Sequence, residues 1–130
     1  MWTFAQNTEK NRVEITFAGG FGRQHDAFDA QLMAMAKRLM IANGHFDCLV
    51  DMSRSELAPQ EVTERGAGAI KWCVANGLRK AAFVHSNTAG RMQIRRLSHG
   101  HEKLSYFASL ADAEHWLDTI DPPSKLVARA

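Results

Sequence analysis

The chain carries few of the residues that advertise a chemistry. Only two of its 130 residues, Cys48 and Cys73, are cysteines. They form no CxxC pair and have no histidine at zinc-finger spacing, which excludes a disulfide framework and a structural zinc site. Both fall in apolar patterns, so the expectation is two small buried thiols in a reducing compartment. No apolar run approaches the ~20 residues that cross a bilayer, so no membrane span is expected. The start, MWTFAQNTEKNR, has no cationic leader followed by an apolar stretch, and no signal peptide is read there. These absences together predict a soluble, cytoplasmic protein. Sixteen basic residues against 14 acidic ones leave a net charge of +2, too balanced to imply a nucleic-acid surface. There is no internal repeat and no low-complexity tract.

Catalytic signatures are equally scarce. No G-x-S-x-G elbow is present. Gly19, Gly20 and Gly22 lie between a strand and a helix, yet GGFGRQ lacks the third glycine of a dinucleotide loop and the Lys-Ser/Thr of a P-loop. A turn that needs positive φ accounts for them. His99-Gly100-His101-Glu102 offers neighbouring histidines with no third ligand at a fixed spacing, which reads as a loop. No cofactor or metal is called for.

What is present is an ordinary globular composition, 45% apolar and 23% charged. A chain of this length buries roughly 65–70% of its unfolded surface, enough for one domain without staples. Strands are predicted over Trp2 to Ala5 and Arg12 to Phe17, joined by the polar loop NTEKN. Val13, Ile15 and Phe17 alternate with polar residues, so one face of that strand is buried. A long helix follows from about Asp26 to Ala42, with Asn43-Gly44 as its C-cap. Its methionines, Met33, Met35 and Met40, suit adaptable apolar surfaces, with core filling as the default.

FDCLVD, from Phe46 to Asp51, reads as a buried strand with Asp51 at its solvent end and a loop running on to Pro59. Pro59 suits the first turn of a helix whose stripe is Val62, Ala69, Ile70 and Cys73, ended by Asn76-Gly77. Then come a strand over Lys80 to His85, a helix from about Ala89 to Ser98, and a strand over Leu104 to Ala108. Ser109 can N-cap a last helix through Trp116 and Ile120, stopped by Pro122-Pro123. The order β-β-α-β-α-β-α-β-α implies parallel pairing through right-handed crossovers, with helices mainly on one face of the sheet. The other face is then partly bare. One domain spans residues 1–121, with 122–130 as a tail.

Three segments taken together, FDCLVDM (46–52), KAAFVHS (80–86) and YFASLADAEHWL (106–117), resemble the SpoIIAA-like family of small bacterial proteins. The resemblance covers roughly residues 2 to 121. It implies an α/β architecture of the STAS-like and CRAL-TRIO-like kind, a βα superhelix with a five-stranded mixed sheet and four helices. It also implies two functional precedents: a protein-docking switch controlled by serine phosphorylation, and an apolar pocket for a lipid. The switch motif is a tight Ser-Ser-Gly-like turn, whereas this chain has SRSELAPQE, so Ser53 and Ser55 lie in the right region without the motif.

In open α/β sheets ligands favour the carboxyl ends of parallel strands. That edge carries Asp51 and Ser53, His85 and Ser86, and Ser109. An acid, an imidazole and hydroxyls there permit a hydrolase reading with Asp51, His85 and Ser86 if the three come within hydrogen-bond reach. Arg91 and Arg95, one turn apart at the head of a helix, are candidate anion ligands, although four cations between Arg91 and Lys103 facing the acids of the last helix also fit a solvated or mutually attracting pair of helices. The sequence therefore reads as a non-enzymatic binding or regulatory domain that engages a protein partner, or a second copy of itself through the bare sheet face. The alternative is a carrier with an apolar cavity between the sheet and the first two helices, and Arg91 or His85 near its mouth. Whether Phe28, Met33, Met40 and Trp72 fill the interior or line a void discriminates the two.

Overall fold

The structure, a computed structural model, describes residues 2–22, 25–98 and 101–119. Strand β1 (Trp2–Asn7) and β2 (Arg12–Gly19) form a hairpin, followed by α1 (His25–Asn43), β3 (Phe46–Ser55) and α2 (Gln60–Ala75). Then come β4 (Leu78–Val84), α3 (Thr88–Ser98), β5 (Leu104–Phe107) and α4 (Leu110–Asp118). The five strands lie in sequential order, β1 antiparallel to β2 and all later pairs parallel. This is the α/β class with a five-stranded mixed sheet and four helices that the pattern predicts. The expected end of the last helix at Ile120 and the 122–130 tail lie outside the described residues, as do His99 and Gly100 of the histidine loop.

Helices α1, α2 and α3 are the crossovers between successive parallel strands, and a single handedness puts all three on one face. There Leu32, Met35, Ala36 and Leu39 of α1, Cys73 of α2 and Ile94 of α3 close over Val13, Ile15, Cys48, Val50, Ala81 and Phe83. Helix α4 follows the last strand and crosses to nothing, so handedness leaves it free. It lies on the opposite face, where Ala113 and Leu117 cover Leu49, Ala82 and Val84. Ser109 caps it as expected, its Oγ accepting from Asp112 N at 3.2 Å.

Among the described residues no helix packs over the rest of that second face, formed by β1 and β2, and it is mainly polar. Thr3, Ala5 and Asn7 sit opposite Thr16, Glu14 and Arg12 in register, with Asn7 Nδ2 donating to Glu14 at 3.1 Å. Of the two readings open for the cationic helix and the acidic last helix, a solvated face or a mutually attracting pair, the second does not apply, because α3 and α4 lie on opposite faces. Asp118 instead takes Arg12 at 2.8 Å and Lys10 at 3.4 Å, and the Arg12 guanidinium holds its carboxyl below the usual range. The other cations at this end are also engaged. Arg79 grips buried Asp47 through two hydrogen bonds and donates to Leu117 O, while Lys80 donates to Thr119 O at 2.9 Å. Cations at the carbonyl end of α4 complement its dipole, so one charged cluster fixes the helix to the amino ends of the strands.

Candidate functional site

The strand-end residues singled out in the sequence do not form one site. Strand β3 runs four residues past Asp51 to Ser55, because its polar end keeps pairing with β2 at Ala18 and Gly19. Gly19 has φ +71°, the positive value that explains this glycine, and its carbonyl accepts from Glu56 N at 2.9 Å. Asp51 is thus a mid-strand residue rather than a terminal cap. Its Oδ1 accepts from Ser53 N at 3.0 Å and from Ser53 Oγ at 2.6 Å. It shares the α4 side of the strand with Leu49, since alternate residues point to opposite faces.

His85 points the other way, beneath the first turn of α3. A Cβ on Gly90 would lie 2.4 Å from the imidazole, so only glycine lets the helix come this close. Nδ1 accepts from Asn87 N at 3.2 Å, which places the proton on Nε2, and Nε2 has no partner among the described residues. Ser86 is exposed. Asp51 and His85 therefore lie on opposite sides of the sheet, and no hydrogen bond joins the proposed trio. Asn87 Oδ1 accepts from Ala89 N and Gly90 N, and Arg91 donates to the carbonyls of His85 and Ser86 and to Thr88 Oγ1. The head of α3 is thus satisfied from within, with Arg95 on the exposed side one turn further on.

Burial first, and the nearby Arg91 guanidinium second, lower the His85 pKa below the ordinary 6.5. The unfolded chain then takes up a proton at this residue that the folded chain refuses. Its contribution is full above about pH 6.5 and declines as pH falls from there towards the folded pKa. Urea midpoints measured from pH 8 to pH 5 should fall more steeply for the native chain than for His85→Gln. Parallel curves would mean that His85 is not held neutral.

The structure brings other residues together around a void. Between the sheet and α1, α2 and α3 lies an apolar cavity of about 150 Å³. Its floor is Cys48 and Val50 of β3 with Ala81 and Phe83 of β4, and Ile94 of α3 closes one end. An aromatic wall faces α2: Phe28 meets Trp2 edge-on at 5.6 Å and Phe17 at 5.4 Å, and Phe17 meets Phe21 at 5.5 Å. The void has a sequence cause. The sheet-facing stripe of α2 is Val62, Gly66, Ala69, Ile70 and Cys73, and its two middle positions carry almost no side chain. Close packing needs bulk there, and bulk is missing.

Phe28 therefore lines the void. Met33 and Trp72 line a second groove, outside it between α1 and α2, and Met40 rests on Gly77 at the end of α2. His85 and Arg91 do not border the cavity. Its charged residues, among those described, are Asp29 and Arg65, and Arg65 Nη2 donates to Asp26 at 2.9 Å and to Asp29 at 3.0 Å, tying α2 to α1 at the rim. These groups were not legible as a site, because an Asp-x-x-Asp on one helix and a lone Arg on the next look like solvated charges. Burial pushes the Cys73 thiol up to about 12, and burial, Cys73 and Asp47 raise that of Cys48. Both stay protonated at neutral pH, as poor nucleophiles. No group of three or more His, Cys, Asp or Glu among the described residues is placed to hold a metal ion, and no described helix is long and apolar enough to cross a membrane. Compared with family models and with curated proteins, the sequence matches none, so the cavity and its rim are the ground for a functional reading.

Proposed function

We propose that this chain is a non-enzymatic, SpoIIAA-like binding domain that works in the cytoplasm and holds a small apolar molecule between its sheet and helices α1 to α3. The observation that carries this reading is the cavity, walled by aromatic rings and bounded by small residues on the helix that should have filled it. Of the two precedents for the architecture, docking of a protein and carriage of an apolar ligand, the void favours the second. The half of the sheet that no described helix covers, the place for a second copy to dock, is mainly polar, which gives a homodimer little apolar area to bury. Burying an aromatic ring of about 200 Å² at about 25 cal/mol/Å² contributes about 5 kcal/mol. That corresponds to a Kd of a few tenths of a millimolar.

Isoleucine methyl groups report on this directly. Ile15, Ile70 and Ile94 line the cavity, whereas Ile41 is 85% exposed on α1. In the methyl-labelled protein, toluene should shift the first three resonances saturably and leave Ile41 in place. Unsaturable or absent shifts would remove the reading. Ala69→Leu adds three carbons to the void, so the toluene response should vanish while stability holds or rises by about 1 kcal/mol. Native mass spectrometry of freshly purified protein, set against the denatured mass, would identify a resident ligand.

A further inference from the structure

The cavity also says what kind of molecule it takes, an inference that rests on the binding reading above. Size comes first. An apolar space of about 150 Å³ accepts a molecule the size of benzene. A long acyl chain exceeds that space.

Polarity comes second. Five described residues bordering the cavity carry hydrogen-bonding side chains other than thiols: Trp2, Asp29, Thr63, Arg65 and Gln93, with the Trp2 indole N–H donating to Gln31 Oε1 at 3.2 Å. Each is engaged already. Thr63 Oγ1 donates to Gln60 O at 2.7 Å. Gln93 Nε2 donates to Ala58 O at 2.7 Å, and its Oε1 accepts from Ala58 N at 3.2 Å, so this amide staples the β3–α2 loop to α3. Arg65 and Asp29 hold one another at the rim. A ligand bearing a carboxylate, an ammonium or an amide would lose its water inside and meet described side chains that already hold partners.

The rim supplies the third constraint. Two carboxylates, Asp26 and Asp29, converge on the single Arg65 guanidinium. Among the described residues the rim carries two carboxylates to one guanidinium, so an approaching anion meets net negative charge and carboxylate ligands are disfavoured twice.

From these constraints we infer that the ligand is a neutral, compact hydrocarbon-like molecule about the size of one aromatic ring, without a charged head group, and not a fatty acid or another ionised lipid. Binding is driven by burial against the Phe17–Phe28 wall, and selectivity comes from a lining whose described polar side chains are already hydrogen-bonded and from the net negative rim.

Competition among matched probes tests this, read on the same isoleucine methyls of the intact chain. Toluene, benzoate, benzylamine and palmitate are titrated in parallel. Toluene should bind at least tenfold more tightly than benzylamine, and benzoate should be the weakest of the three ring compounds. Benzoate or benzylamine at or above toluene's affinity, or palmitate binding more tightly than toluene, would overturn the inference while leaving the binding domain intact. If none of the four gives a saturable shift, the binding reading itself falls, and this inference with it. Arg65→Gln separates the rim from the interior. Removing this cation should weaken benzoate further and leave toluene within about twofold, whereas tighter benzoate binding would refute the assignment of the rim.

Discussion

Replacing Arg79 by methionine should destabilise the fold by about 3 kcal/mol, one of the two largest effects expected of a single side chain here. The reason is an asymmetry within the ion pair. The Asp47 side chain is only 4% exposed, whereas that of Arg79 is 32% exposed. Without Arg79 the carboxylate loses both of its guanidinium hydrogen bonds and has no water to turn to, and the Leu117 carbonyl at the end of α4 loses a donor as well. Asp47→Ala leaves behind a guanidinium that can swing into solvent, at a cost of only about 1–2 kcal/mol. Urea denaturation of the two variants should therefore rank Arg79→Met well below Asp47→Ala, with a loss of about 10 °C in Tm for the former. Equal losses, or the reverse order, would show that the buried carboxylate is not the group that needs its partner.

Phe46→Ala is expected to cost about 4 kcal/mol. Phe46 opens the central strand, is fully buried, and its backbone N–H donates to Gly77 O at 3.0 Å, where α2 hands over to β4. Truncation leaves a ring-sized hole amid packed neighbours, with no mouth to solvent through which it could collapse. Phe46 faces the α1–α3 core, while Asp47 faces the other side of the sheet, so the Arg79→Met and Phe46→Ala losses should add to within about 0.5 kcal/mol. A Phe46→Ala loss under 1 kcal/mol in equilibrium unfolding would contradict the packing described.

Most of the fold was legible because it is written in periodicity. Val13, Ile15 and Phe17 marked the half-buried strand, the alternation of strands and helices fixed the parallel order, and Ser109 and Asn43-Gly44 marked helix ends that the structure keeps. Helix α4 escaped for a specific reason: handedness rules govern crossovers, and a helix after the last strand is not one. The end of β3 escaped because Ser53, Arg54 and Ser55 have a surface composition, and only pairing with β2 makes them a strand. The cavity was the least legible feature. The periodicity marks Val62, Ala69, Ile70 and Cys73 as a core stripe; the last three pack on the core while Val62 borders the cavity, and Gly66 within that stripe is the missing signal. Periodicity shows where a helix faces and not whether its side chains reach the other wall. The strand-end Asp51 and His85 misled for a related reason: closeness along a sheet edge says nothing of which face each side chain takes.

The placement of α4 bears on how the polypeptide is born. Chains fold from the amino terminus as they leave the ribosome, and here the strands and the three crossover helices emerge first. Until residues 110–118 follow, Leu49, Ala82 and Val84 have no described helix to cover them. The nascent domain thus passes through a stage with a greasy sheet face open to its surroundings, a target for chaperones or for a neighbouring chain on the same message. The Arg12–Asp118 contact, joining residues 106 apart, can form only when that stage ends.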